Sequence, residues 1–194
     1  MNGLKVIIAI LVLATTVHAP IAYAEKVPVQ LAQRAMDSES YVNSGVRKYN
    51  LGDYKGAISD FDQAIKLAPK DDNAYSNRGA AHAALGNHRG AIADYTYAIT
   101  MAPKNSIAYN NRGLSRKEIR DYQGAISDYT KAIELDSSNA RAYLNRGLLR
   151  VEMGDKKGAI ADYKKGDSLF LQQGETGYHQ TILEKIRQLN AGAK

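Results

Sequence analysis

The 194-residue chain has no cysteine. That excludes disulfides, lipid-modified cysteine and thiolate metal sites, so stability must come from packing. Long apolar runs are nearly missing too. One uncharged, mostly apolar segment runs from Val6 to Val17 and breaks off at His18 and Pro20, short of the about 20 apolar residues that a spanning helix needs. Preceded by Lys5 and followed by Ala22-Tyr23-Ala24, this segment has the layout of a cleavable export signal over residues 1–24. The expected product, residues 25–194, is periplasmic or secreted and has no stable membrane span once the signal is removed. It is long enough to bury a sizeable core.

Catalytic signatures are equally scarce. Outside the signal there are three histidines, His82, His88 and His179, and there is no zinc-binding histidine pair, phosphate-cradling glycine loop or nucleophile elbow. These absences argue against an enzyme, and no metal or cofactor is expected. The formal charge of +6 falls to +5 without the segment that holds Lys5. Residues 140–194 carry 10 Lys plus Arg against 6 Asp plus Glu. Lys156, Lys157, Lys164 and Lys165 are interrupted by Gly-Ala-Ile-Ala-Asp-Tyr, and no aromatic series runs among them. Nucleic acid is therefore not expected; the excess suits a solvated face or an anionic partner.

What the chain does have is a step of 34 residues. It aligns Tyr41, Tyr75, Tyr109 and Tyr143, then Asn43, Asn77, Asn111 and Asn145, then Gly45, Gly79, Gly113 and Gly147. The same step aligns Ala57, Ala91, Ala125 and Ala159, the isoleucines that follow them, and Phe61, Tyr95, Tyr129 and Tyr163. Four units result, at 38–71, 72–105, 106–139 and 140–173. Within a unit, Tyr122, Ala125, Ile126, Tyr129, Ala132 and Ile133 fall at i, i+3, i+4, i+7, i+10 and i+11, the apolar stripe of a helix. Breaks precede each such helix at Gly52, Gly86 and Gly154, where glycine can take the left-handed conformation. Arg120 stands in that column in the third unit, and a left-handed arginine there costs about 1 kcal/mol. Pro69-Lys70-Asp71-Asp72 and Pro103-Lys104-Asn105-Ser106 stop one helix and cap the next. Each unit is a helical hairpin.

These residues resemble the tetratricopeptide repeat, a 34-residue helix-turn-helix unit that places an aromatic, a glycine, an alanine, an aromatic and a proline in that order. The departures are Arg78, Arg112 and Arg146 where the pattern prefers Leu, and Lys48, His82, Arg116 and Arg150 where it prefers Tyr. Ser137 and Leu171 replace the unit-ending proline. The resemblance implies an all-α, right-handed α-solenoid of four hairpins over residues 38–173. Residues 174–194 form a capping helix and tail, with Tyr178, Ile182, Leu183, Ile186 and Leu189 at helical spacing. Residues 25–37 form a linker or an extension of the first helix, with Pro28 limiting how early that helix begins.

In this family the first helix of each unit lines the concave face. By resemblance the groove presents Val42, Val46 and Tyr49 from the first unit and Ser76, Ala80 and Ala83 from the second. Asn110, Leu114 and Lys117 follow, then Leu144, Leu148 and Val151. An apolar groove suits an amphipathic helix or a hydrophobic extended segment of a partner protein, or it is covered by the chain's own terminal segments. A basic clamp for a peptide carboxylate is not expected. Two readings stand for Asn43, Asn77, Asn111 and Asn145: contact with a partner's backbone, or a bond to a neighbouring helix. The recurrent tyrosines are expected in the core. Asp60, Asp94 and Asp128 each precede an arginine by 18 residues, Arg78, Arg112 and Arg146, and are expected to pair with it across unit boundaries. The function expected is a non-enzymatic scaffold or adaptor that binds another protein or peptide in the groove. The alternative is a self-assembling module, a homo-oligomer or a binder of anionic surfaces, that uses the basic C-terminal part. A hydrolase with an unrecognised site is the third reading.

Overall fold

The computed structural model describes residues 21–191, with side chains from residue 29 onward. The export signal expected over residues 1–24 lies outside the described residues, apart from its last four positions. The helices are α1 (Ile21–Asn50), α2 (Tyr54–Leu67), α3 (Asp72–Ala84), α4 (His88–Met101), α5 (Ser106–Glu118), α6 (Tyr122–Leu135), α7 (Ala140–Glu152), α8 (Lys156–Gln172) and α9 (His179–Ala191). Among the described residues there is no strand. Helix α1 continues through Pro28, which has no amide hydrogen to give to the helical ladder.

Each helix packs on the next, most extensively within the pairs α1/α2, α3/α4, α5/α6 and α7/α8. Helices α1, α3, α5 and α7 also approach one another in turn, whereas α2, α4, α6 and α8 do not. Helices α1, α3, α5 and α7 therefore line the inner side of a curved stack. The chain is an all-α solenoid of helical hairpins, closed by α9.

The local chemistry repeats with the fold. Asp53, Asn87, Asp121 and Asp155 each accept from the amide three residues on, capping α2, α4, α6 and α8. Asp71, Asn105 and Asn139 cap α3, α5 and α7 in the same way. Arg120 takes the left-handed turn, at φ 63°, in the place that glycine holds in the other units.

The glycine and aromatic columns meet across each hairpin. A Cβ on Gly113 would stand 2.7 Å from Tyr129 Cε1, and one on Gly147 would stand 2.8 Å from Tyr163 Cδ1. A Cβ on Gly45 would stand 2.5 Å from Phe61 Cε1. Phe61, Tyr129 and Tyr163 are at most 1% exposed, so these rings have nowhere to go.

The arginine column pairs differently from the expectation. Asp94 is held by Arg78 of its own unit, with Nε at 3.0 Å and Nη2 at 2.6 Å. Arg112 grips Asp128 and Arg146 grips Asp162 in the same two-point way. The pairing of Asp60 with Arg78, Asp94 with Arg112 and Asp128 with Arg146 is thus overturned. The physical reason is height across the hairpin: Arg78 and Asp94 stand equally far from the turn at Gly86 and meet side by side. Arginine still reaches across the unit boundary, but through Nη1 and to another column. Arg78 Nη1 donates to Asp62 at 2.6 Å, Arg112 Nη1 to Thr96 at 3.1 Å, and Arg146 Nη1 to Thr130 at 3.0 Å.

In the third and fourth units a second cation one helical turn on shares the carboxylate. Arg116 donates to Asp128 at 2.9 Å and Arg150 to Asp162 at 2.7 Å. In the first unit, Lys48 Nζ lies 2.8 Å from Asp60. Burial pushes the Asp60 carboxyl up, but hydrogen bonds from Lys48 and Ser44 and the charges of Lys48 and Arg47 outweigh it and hold the group below its ordinary value.

Two stability predictions follow from these contacts. Gly113→Ala destabilises by about 1–2 kcal/mol in urea unfolding, because overpacking against Tyr129 exceeds the gain of about 1 kcal/mol in helix propensity; an unchanged midpoint would refute the contact. The Arg112 and Asp128 side chains are 12% and 4% exposed, so Arg112→Ala costs about 3 kcal/mol. Asp128→Ala costs more, since it strands two arginines. Losses below about 1 kcal/mol would mean that the pair behaves as a surface ion pair.

Candidate partner-binding groove

The inner face is uneven, and its unevenness comes from side chains that differ between units. In the first unit Val42, Val46 and Tyr49 are half-buried and pack against the cluster of Ala57, Phe61 and Ala81. In the second, Ser76, Asn77, Ala80 and Ala83 are half-buried. Leu114 and Val151 are exposed, while Lys117, Leu144, Asn145 and Leu148 are half-buried.

The asparagines divide into two groups. Asn110 is 6% exposed and lines the notch between the third and fourth units. It accepts from Asn145 Nδ2 at 2.9 Å and donates to Asn111 Oδ1 at 3.2 Å, tying α7 to α5. Its place in the chain holds Val42, Ser76 and Leu144 in the other units, none of which makes such a bridge. Asn43 and Asn77 have no hydrogen-bond partner among the described residues.

The same contrast separates the two halves of the groove. Towards the carboxyl end, Lys117 Nζ lies 3.2 Å from Glu152 and spans α5 and α7. Leu144 and Leu148 pack against the cluster of Ala140, Tyr163, Leu169, Phe170 and Ile182, which Ile186 and Leu189 of α9 also join. The third and fourth units leave a polar notch of about 410 Å³ between them, and Gln173 beside it donates to the Ser138 carbonyl at 2.9 Å. The corresponding notch between the first and second units is about 940 Å³ and mostly apolar. Ala35, Val42, Ala68 and Pro69 line it, with Asn43 and Asn77 at its edge. Ala35 and Glu39 were missed by the column reading, because Ala35 precedes the first unit and the column of Glu39 holds Asn73, Ile107 and Arg141, with no residue in common. The spacing of Ala35, three and seven residues from Ser38 and Val42, is the signal that could have found it.

The recurrent pentapeptide Tyr-X-Asn-Arg-Gly is thereby apportioned. Its tyrosine lies under the arginine, with the guanidinium carbon 5.4 Å from the Tyr109 ring centre for Arg112. The arginine serves the buried carboxylate, and the glycine receives the next helix's aromatic ring. The asparagine and the residue before it lie on the inner face. Among the described residues, no helix is long and apolar enough to cross a membrane, and no cluster of His, Asp or Glu could hold a metal ion.

Comparison with known proteins agrees with this geometry. The family described as TPR repeat matches residues 45–86 and 121–154, and the family described as tetratricopeptide repeat matches residues 72–105 and 140–172. The chain belongs to the tetratricopeptide repeat family. No curated protein matches it. Among solved tetratricopeptide-type structures it is similar to MamA from Desulfovibrio magneticus RS-1, at 27% identity and a TM-score of 0.65, covering 71% of this chain and 77% of that one. The Arabidopsis OM64 TPR domain is 29% identical with a TM-score of 0.60, covering 61% of this chain and 98% of that one. The first TPR of Spaghetti (RPAP3), solved bound to an HSP90 peptide, shares the fold at 21% identity and a TM-score of 0.61, covering 62% of this chain and 95% of that one.

The buried tyrosines behind the inner face give the fold an alkaline limit. Burial, with a smaller contribution from Glu152, pushes the Tyr163 hydroxyl up to about 12. Burial raises Tyr95 and Tyr129 further. A folded pKa above the unfolded value of about 10 adds stability that is complete below pH 10 and is lost as pH rises through the folded values. Urea titrations from pH 8 to 12 should show stability falling only above about 10, with tyrosinate absorbance appearing alongside the loss of helicity. Full ionisation of all tyrosines near pH 10 in a folded chain would contradict this.

Proposed function

We propose that the protein is an exported, non-enzymatic adaptor of the cell envelope that holds an extended peptide of a partner protein against the amino-terminal half of its inner face. The observation that carries this reading is the pair Asn43 and Asn77. One repeat apart, both lack a hydrogen-bond partner among the described residues and both edge the apolar notch of about 940 Å³. A carboxamide offers one donor group and one acceptor, which matches the peptide backbone. The apolar wall of Ala35, Val42, Ala68 and Pro69 takes side chains. Relatives in the same family act as protein-interaction modules, as the HSP90 peptide on the first TPR of Spaghetti illustrates. Export is supported by the layout of residues 1–24.

Peptides selected from a random library on residues 25–194 test the site. The double variant Asn43→Ala, Asn77→Ala should weaken a selected peptide about ten-fold, as two hydrogen bonds predict, while Asn145→Ala leaves it unchanged. Binding unaffected by the double variant, or lost equally in Asn145→Ala, would place the peptide elsewhere. Cell fractionation with amino-terminal sequencing tests export, and a soluble cytoplasmic product that retains Met1 would refute it.

A further inference from the structure

The groove contains a second recess, of about 250 Å³, between α3 and α5. Its existence follows from three alanines. Ala80, Ala83 and Ala84 stand where the other units carry Val46, Leu114 and Leu148, then Tyr49, Lys117 and Val151, then Asn50, Glu118 and Glu152. The inner face therefore dips at the second unit, with Tyr49 on one side and Leu114 on the other.

Small side chains alone leave only a gap, but this one is also lined by polar side chains, among them His88, whose buried Nδ1 has no hydrogen-bond partner among the described residues, and Tyr95. Tyr95 lines the recess and is 2% exposed, and its hydroxyl has no hydrogen-bond partner among the described residues. Burial, together with Tyr49 and Asp94, pushes its pKa well above the ordinary tyrosine value, so at neutral pH it is an O–H group able both to donate and to accept. Packing does not require that hydroxyl: Phe61 fills the same column in the first unit at 1% exposure. A guest with an apolar body and a polar tip satisfies both the apolar walls and the polar lining.

We infer that this recess is an anchor pocket for a tyrosine side chain of the partner segment, its phenol meeting the Tyr95 hydroxyl between Tyr49 and Leu114. This rests on the groove reading above and adds the chemistry of one partner residue to it.

The full exported chain, isotope-labelled for NMR, is titrated with p-cresol, toluene and butylguanidinium. The expected result is saturable shifts at Ala80, Ala83 and Leu114 with p-cresol, at an affinity about three- to ten-fold above toluene, the range set by one hydrogen bond. Ala83→Leu, on the helix surface, should abolish the shifts. Tyr95→Phe should bring p-cresol down to the toluene affinity with the fold intact. Absence of saturation, equal affinity for toluene in the unmodified chain, tighter butylguanidinium, or shifts that survive Ala83→Leu would each overturn the inference. Peptide capture that still depends on Asn43 and Asn77 while p-cresol fails leaves the groove reading standing without the anchor. The opposite pattern retains the pocket and removes the peptide site beside it.

Discussion

Each hairpin is held by a carboxylate taken out of water. Asp60, Asp94, Asp128 and Asp162 are at most 9% exposed, and a buried carboxylate is tolerated only when its charge and lone pairs are met. The inner helix supplies the cations. In the third and fourth units one arginine grips both oxygens and a second, a turn later, adds another bond. The same guanidinium has a spare nitrogen, and that nitrogen reaches back to Asp62, Thr96 or Thr130 of the preceding unit. Closure of a hairpin and its register on its neighbour are therefore set by one side chain. A hairpin that slid along its neighbour would leave that donor unmet.

The two ends lack this arrangement. Ser44 occupies the arginine column in the first unit, so nothing there reaches backward. At the other end Lys164 occupies the column of Asp62, Thr96 and Thr130, and it has no acceptor to offer an incoming guanidinium. Helix α9 accordingly docks by other means. Ile182 is buried against Leu169 and Phe170, the Tyr178 ring stacks on Phe170 at 4.5 Å, and His179 Nδ1 lies 2.9 Å from Asp167.

Most of the fold was legible because a solenoid repeats its packing problem, and each solution recurs as a column. The left-handed turn at Arg120 and the caps at Asp71 and Asn105 could be read from single residues, since backbone conformation and helix ends are local matters. The arginine partners could not be read from column order alone. Arg78 lies 18 residues after Asp60 and 16 before Asp94, and both aspartates belong to the same column. Distance from the turns separates them: Arg78 and Asp94 are each eight residues from Gly86, whereas Asp60 and Arg78 are ten and eight from Lys70. The groove was less legible for a related reason. Columns report what every unit needs, and a binding surface is made from the positions at which units differ.

Those differences give the inner face a direction. At the third unit, asparagine in a column otherwise filled by Val42, Ser76 and Leu144 turns inward and binds Asn145, using amides that could otherwise face a guest. Lys117 and Glu152 then close the next step, and α9 completes the cluster that takes up Leu144 and Leu148. At the second unit, alanine at 80, 83 and 84 removes volume, and at the first, Val42 cannot bond Asn77 as Asn110 bonds Asn145. The unpaired inner-face amides Asn43 and Asn77 and the unfilled space thus fall in the same half of the array. Unpaired amides beside apolar surface suit a guest that supplies both backbone and side chains, and the proposed extended segment, lying from Asn43 towards Leu114, would do so without disturbing any contact that holds the hairpins together.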